Sequence, residues 1–362
     1  MSSIVQIATE EDDALWATRN EHWLTSEPRR RRAVRERPRE PLILCGHGVQ
    51  LRIEHGALVI LNGFTHFPQE RQAFRFFKGD LNLPPKIIML DGSGSLSFDV
   101  LTWLSEQGVH LARIGWQGDV VSVLAGSGSA FDPERIDWQV RTRADPSERL
   151  AFGTNLILEK LHNSIETLRR TIPDWPGRRQ AVEKADAAID RLAKRVPRTI
   201  AELMLTEARA AAAYFQAWRA LPLRWKQLKS RPIPDHWRNP TTRRSDWSRP
   251  HSTNRHATHP VNAMLNYAYA VLHSQVQTEI AASGYDPCRG IMHESHTDSR
   301  AFVLDLMEPI RPLADATVLK FLAANAFSAA DFVIRIDGVC RLAPQLARRV
   351  ASLEYGFDGR SW

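Results

Sequence analysis

The sequence predicts an α+β chain: a β-rich N-terminal domain over residues 42–130, then a larger all-helical catalytic domain over 147–362. Two observations carry that division. Short β-branched and aromatic runs broken by glycine fill the first part, whereas apolar residues recur at steps of three and four from Ser147 onward. Between them, residues 131–146 change composition, and Pro133, Pro146 and the charges of RTRADPSER read as a linker. At 362 residues the chain is long enough for two domains with cores of their own.

Residues 1–41 read as a basic, flexible extension, with seven arginines from Arg29 to Arg39 and prolines at 28, 38 and 41. A DNA-touching arm is the other reading. LILCG, VQLRIEHGALVIL and AFRFF are short strands, and Glu54-His55-Gly56 is a hairpin turn. KIIMLDGSGSLS reads as a strand running into a loop. Its DGSGS lacks the Gly-Lys-Ser/Thr ending of a phosphate loop and is taken as a turn. SFDVLTWLSEQG is a short helix stopped at Gly108, and VHLARIGWQGDVVSVLA is two strands around Trp116-Gln117-Gly118. In the second part, SERLAFGTNLILEKLHNSIETLRRT runs as one helix, with Ser147 as N-cap and Pro173 as stop. A charged helix follows over about 177–195. VLKFLAANAF and LAPQLARRVASL, beyond residue 315, are packing elements.

Composition narrows the function classes. A net charge of +7 and a pI near 9.6 favour a polyanionic partner, without choosing among DNA, RNA and anionic lipid. No apolar run reaches the roughly 20 residues that cross a membrane, and MSSIVQIATEEDD lacks the pattern of a signal peptide. Cys45, Cys288 and Cys340 form no CxxC pattern, which argues against a disulfide framework or structural zinc and fits a reducing cytoplasm. The most basic internal stretch is 219–255, with ten Lys and Arg against two Asp and with Trp225, Trp237 and Trp247 interleaved. Cations beside flat aromatics suit phosphate contact and base stacking, and Arg224, Lys226, Arg243, Arg244 and Arg249 are the candidate DNA-binding residues. A solvated loop with its tryptophans tucked into the core is the alternative. Replacing Arg243 and Arg244 with Ala is expected to weaken DNA binding and lower the slope of log K against log salt, by about 0.9 per lost phosphate contact. Unchanged slope and affinity would assign both arginines to solvent. His236 and His251 in this stretch, and His256 and His259 just after it, have no cysteines nearby and read as polar loop residues.

The candidate chemistry lies in two places. Val261, Met264, Leu265, Ala268, Leu272, Val276 and Ile280 make a helix over 260–282, opened by Pro260 and stopped at Ser283-Gly284. The turn Tyr285-Asp286-Pro287 and His293 follow, and then Asp305 and Glu308, whose spacing puts both carboxylates on one helix face. A histidine and two such carboxylates in an apolar setting form a pattern a divalent cation can use. Upstream, Ile200, Leu203, Met204, Ala208, Ala211, Phe215 and Trp218 form an apolar stripe with Glu207 in its middle. A carboxylate facing a core needs a cation. An arginine ion pair and a metal shared with His293 and Glu308 both meet that need, and the residues alone leave both open.

TEARAAAAYFQAW, PVNAMLNYAYAVL, GYDPCRGIMHESH and LDLMEPIRP follow one another over about 115 residues. In order and wording they resemble the spacer-acquisition integrase of CRISPR systems, the CRISPR-associated protein one family. The resemblance implies that Glu207, His293 and Glu308 ligate Mg²⁺ or Mn²⁺. It makes Asp305 an acidic neighbour that binds a second ion or orients His293, and Arg311 a phosphate contact. It also implies the reaction: the 3′-hydroxyl of a DNA fragment attacks a phosphodiester, inserting the fragment as a spacer into a CRISPR array. Water at the same site gives endonuclease activity. The implied partners are double-stranded DNA with 3′ ends, a second copy of the chain joined through the β domain, and CRISPR-associated protein two. A transposon-type integrase or DNA-repair nuclease of the same fold, and a non-catalytic DNA-binding subunit, remain as alternatives. In the metal-free protein the clustered carboxylates are expected to repel one another, so that removing one relieves strain and leaves the helices intact.

Overall fold

The first strand, β1 (Leu42–Glu54), shows how the two halves of the chain are joined. Its side chains alternate between two cores, as a period of two requires. Leu44, Val49 and Leu51 face a core closed by helix α1 (Phe98–Glu106), which contributes Val100, Trp103 and Leu104. Ile43 and Cys45 face the other way, into the main core of the helical part. The structure is a computed structural model and describes residues 18, 41–65, 71–115, 120–124, 132–195, 197–226, 232–240, 256–293, 300–336 and 338–355. Contacts divide the chain into Met1–Arg37 and Pro38–Trp362, and every element below belongs to the second unit. The expected N-terminal extension falls almost wholly outside the described residues.

The sheet has the order β3-β2-β1-β4-β5-β6, with β2 (Ala57–Leu61), β3 (Ala73–Phe76), β4 (Lys86–Leu96), β5 (His110–Ile114) and β6 (Val120–Leu124). β4 runs parallel to β1 and to β5, and the remaining pairs are antiparallel. The β1–β2 hairpin turns at the expected place, with His55 at φ 50° and Gly56 at φ 77°. DGSGS differs from expectation: it is strand, paired to β1 through two register shifts. Glycine is required there, because a Cβ on Gly92 (φ 100°) would meet the Gly46 carbonyl oxygen at 2.1 Å.

Residues 131–146 differ as well. The stretch read as a linker is helix α2 (Pro133–Ala144), followed at once by α3 (Pro146–Thr171). Each starts the same way: Asp132 or Asp145 accepts N–H bonds from the first turn and a proline stands at the start. Asp145 is therefore the cap of α3, in place of Ser147.

Next come α4 (Pro176–Lys194), α5 (Ile200–Ala217), α6 (Pro260–Ala282), α7 (Ala301–Met307), α8 (Arg311–Ala324) and α9 (Pro344–Ala351). α6 has the expected bounds. It is buried on all sides, with Val261, Met264, Leu265, Ala268, Val271, Leu272 and Val276 inside, because β5 and β6 cover one flank and α7 and α8 another. His259 caps it, its Nδ1 accepting from the Val261 N–H at 3.2 Å, so this histidine is a helix cap. The helical part also holds a two-stranded sheet, β7 (Phe332–Ile334) and β8 (Cys340–Leu342). Trp225 and Trp237 pack against its Phe332, with ring centroids 6.2 and 5.5 Å away. Trp237 is 2% exposed. Both tryptophans thus serve the core, and the base-stacking expectation does not hold for them; Trp247 lies outside the described residues.

Candidate active site

Four elements deliver the site. α5 carries Glu207, α3 faces it with Lys160, the loop after α6 carries His293, and Glu308 stands where α7 turns into α8. The buried stripe of α5 is Leu203, Thr206, Ala210, Ala213, Tyr214 and Ala217, rotated from the expected one, and Met204 is 40% exposed. A run of small alanines offers little to distinguish adjacent faces. Glu207 consequently sits at the border of the stripe, on the wall of a cavity of about 1200 Å³ that Lys160, His293, Glu308, Arg311 and Tyr269 also line.

The cation that Glu207 requires is Lys160. Its Nζ donates to Glu207 Oε1 and to Glu308 Oε2, both at 2.5 Å. Arg311 Nη1 stands 3.2 Å from Glu308 Oε1, and His293 Nε2 stands 4.0 Å from the same oxygen. Burial would raise the Glu308 pKa, but Arg311 and Lys160 outweigh it and hold the carboxyl down at about 2. The Lys160 ammonium is likewise favoured: burial opposes it, and Glu308 and Glu207 raise its pKa. Because the Glu308 pKa is lowered on folding, its contribution is complete above the ordinary value of 4.5 and is lost as pH falls towards about 2. Unfolding titrations of the metal-free chain should show that loss, and Glu308→Gln should lack this component. Equal acid sensitivity in the two proteins would contradict it. The expected repulsion among carboxylates is not what the structure holds, since two half-buried cations, Lys160 and Arg311, already offset them.

Asp305 has a different place from the other two carboxylates. It is fully buried and turned away from the cavity. Its Oδ2 accepts from the backbone N–H groups of Ile291 (2.6 Å) and Met292 (3.1 Å). Its Oδ1 takes the His293 N–H at 2.8 Å and the His293 ring Nδ1 at 2.7 Å. An ionised carboxylate only accepts, so the neutral ring carries its proton on Nδ1 and leaves the Nε2 lone pair facing Glu308. Of the two roles open to Asp305, orientation of His293 is the one this geometry supports.

The carbonyls of the same loop are held from the other side. Gln139 Nε2 donates to the carbonyls of Asp286 and Arg289, both at 3.0 Å. Arg143 Nη1 donates to those of Gly290 and His293, both at 2.7 Å. Arg149 donates to those of Ile291 (2.8 Å) and Met292 (3.0 Å). The charges that looked like a linker therefore fix the histidine loop. α3 also fastens the α7–α8 turn, with Asn163 and Thr167 each donating at 2.8 Å to the carbonyls of Pro309 and Pro312. Below the site, Asp315 accepts from Tyr214 (3.0 Å) and Tyr269 (2.6 Å), and Arg311 lies over the Tyr269 ring.

The structure thus brings Glu207, His293, Glu308, Asp305 and Arg311 together. Lys160, Gln139, Arg143 and Arg149 are additions that the sequence reading did not single out. Arg224 and Lys226 are exposed on the surface, with Arg224 donating to the Ala323 carbonyl at 3.0 Å. Arg243, Arg244 and Arg249 lie outside the described residues.

Among the described residues no group of three or more His, Cys, Asp or Glu side chains is placed to enclose a metal ion. The Lys160 ammonium sits between the two carboxylates. The donor set nonetheless fits a divalent cation. Two carboxylate oxygens already converge on one positive charge, and an imidazole held in a fixed tautomer stands beside them. Oxygen-rich donors with one nitrogen suit Mg²⁺ or Mn²⁺.

The family profile described as CRISPR associated protein Cas1 matches residues 42–354. A CRISPR-associated exonuclease Cas4/endonuclease Cas1 fusion of Rhodospirillum rubrum is 32% identical over 227 residues, which are 61% of this chain and 35% of the fusion. The match thus spans about a third of that relative's length. Among solved structures, a casposase bound to integration product aligns with a TM-score of 0.68 at 22% identity, covering 86% of this chain and 80% of that one. A Cas6-RT-Cas1–Cas2 complex aligns with a TM-score of 0.63 at 16% identity, covering 86% of this chain and 31% of that one. At these identities the likeness is one of fold.

Proposed function

The chain belongs to the CRISPR associated protein Cas1 family, and from that premise we propose that it is a metal-dependent DNA endonuclease and integrase that joins the 3′ end of a short DNA fragment to a phosphodiester in a CRISPR array. One observation carries this reading: Glu207 and Glu308, from separate helices, converge on a single cation beside His293, in the wall of a cavity. In it, Glu207, Glu308 and His293 would hold a Mg²⁺ or Mn²⁺ ion, which would neutralise charge that builds on the phosphate and make the attacking hydroxyl more acidic. The protein's own part is placement. Asp305 and the clamp of Gln139, Arg143 and Arg149 fix the imidazole, while α3 fixes the turn that presents Glu308. Arg311, held against Glu308 and Tyr269, supplies a positive charge on the cavity wall for the phosphate.

Double-stranded DNA is the substrate, and the basic surface around Arg224 and Lys226 contributes contacts that position it without reading sequence. A second copy of the chain, joined through its β-rich part, and CRISPR-associated protein two are the proposed partners. The likeness to a Cas6-RT-Cas1–Cas2 complex supports the latter pairing. The likeness to a casposase supports a second reading, an integrase of the same fold working outside CRISPR arrays.

The reaction is tested with a labelled duplex carrying a free 3′-hydroxyl, a target duplex containing the repeat, and Mn²⁺ or Mg²⁺. Joined product is expected, and a 3′-deoxy end should give none. Joining that tolerates a blocked 3′ end, or that needs no divalent ion, would remove the proposal.

A further inference from the structure

Lys160 has a role that the proposed ion site does not absorb. Its ammonium donates to both carboxylates at 2.5 Å, so the two oxygens stand within about 5 Å of each other with one positive charge between them. Its side chain is 16% exposed, Glu207 17% and Glu308 6%. Two carboxylates this close in a half-buried setting repel each other strongly when nothing separates them. A divalent ion held by Glu207 and Glu308 would meet the same charges, so it and the ammonium could not both keep their contacts with the two carboxylates. We propose that Lys160 is an internal counter-ion that occupies the divalent-cation position in the metal-free protein and is displaced when the ion binds.

The inference rests on the ion site proposed above and adds regulation to it. The ammonium keeps the site assembled before metal arrives, because Glu207 on α5 and Glu308 beyond α7 are tied to α3 through this one nitrogen. It also sets the affinity threshold. Ion binding has to break two charge-assisted hydrogen bonds, so the site fills at a higher ion concentration than its ligands alone would require. Arg311 does not substitute for Lys160: it contacts the other oxygen of Glu308 at 3.2 Å and reaches Glu207 only through its longer-range field.

The test is Mn²⁺ titration of the full DNA-free chain by calorimetry, for wild type, Lys160→Met, Lys160→Gln and Glu308→Gln. Removing the competing ammonium should tighten Mn²⁺ binding roughly tenfold in both Lys160 variants, the weight of one charge-assisted contact. The same variants should melt at a lower temperature without metal and gain more from saturating Mn²⁺ than wild type does. A Lys160 residue with a merely structural role would lower the melting temperature without raising affinity. Unchanged or weaker Mn²⁺ binding by folded Lys160 variants would overturn the inference while leaving the ion site standing. Binding by Glu308→Gln at wild-type affinity would overturn the ion site itself, and the inference with it. The wild-type chain gives a check free of any folding defect. Acetylation of Lys160, followed by mass spectrometry, should be slow without metal and accelerate on adding Mn²⁺, whereas a rate indifferent to Mn²⁺ would contradict displacement.

Discussion

Glu308→Ala is expected to abolish both joining and cleavage of DNA, by on the order of a thousandfold or more, the scale on which losing a transition-state electrostatic contact acts. The same loss is expected for Glu207→Ala and His293→Ala, since each removes one of the converging donors. Glu308→Ala should also weaken the fold. It leaves Lys160 with one carboxylate in place of two and strips Arg311 of its 3.2 Å partner. Breaking a buried ion pair from one side is worth about 3–5 kcal/mol. The lower end applies, because Lys160 keeps Glu207 and the Arg311 side chain is 29% exposed. Glu308→Gln retains the volume and an acceptor, so it should recover part of the stability and none of the activity. Duplex binding should survive in both, because most of the affinity for DNA comes from phosphate contacts elsewhere. A Glu308→Gln protein that joined DNA at the wild-type rate would reduce Glu308 to the acidic half of an ion-pair network.

Asp305→Ala carries the second large effect, and it falls on stability first. A mere acidic neighbour of the ion would carry a smaller loss. The structure assigns Asp305 more, since three backbone N–H groups and one ring N–H end on a carboxylate that is fully buried. Orphaning buried donors is worth about 1–3 kcal/mol each. A loss of about 4 kcal/mol is expected, with partial relaxation of the loop, and the melting temperature should fall by on the order of 5–10 °C. His293 then loses its fixed tautomer, and Mn²⁺ affinity should drop about 10–100-fold, as for other outer partners of metal-binding histidines. Asp305→Asn should rescue little, because its amide nitrogen would face N–H donors. Calorimetric melting and Mn²⁺ titration of the two variants decide this, and near-wild-type stability in Asp305→Ala would show that the loop finds other partners.

What could be read from the sequence, and what could not, follows from how local each signal is. The bounds of α6 were legible because Pro260 and Ser283-Gly284 punctuate it, and the β1–β2 turn because His55-Gly56 interrupts two β-branched runs. That His293, Glu308 and Glu207 lie close together was legible through motif order, which carries spatial information that spacing alone lacks. Lys160 was invisible: in NLILEKLHNSIE it is one more charge on an amphipathic helix, and its partners are 47 and 148 residues away. Helix α2 did leave a signal. Asp-Pro-Glu at 132–134 is a capped helix start, and the density of charge around Arg141 and Arg143 outweighed it. That charge is what the histidine loop needs, because Arg143 and Arg149 serve carbonyls that face no strand or helix partner. Gly92 was read as a turn because its strand role depends on the close approach of Gly46 from another strand.

In the proposed site Glu207, His293 and Glu308 would hold one divalent ion in the position now taken by the Lys160 ammonium. Anomalous diffraction from crystals of the full chain grown with Mn²⁺ tests it most directly. One manganese peak is expected in contact with a carboxylate oxygen of Glu207, a carboxylate oxygen of Glu308 and the Nε2 of His293, with Lys160 withdrawn and Asp305 still bound to the histidine loop. A manganese peak elsewhere, or none in the cavity at a concentration that supports DNA joining, with Lys160 still bridging the two carboxylates, would contradict it.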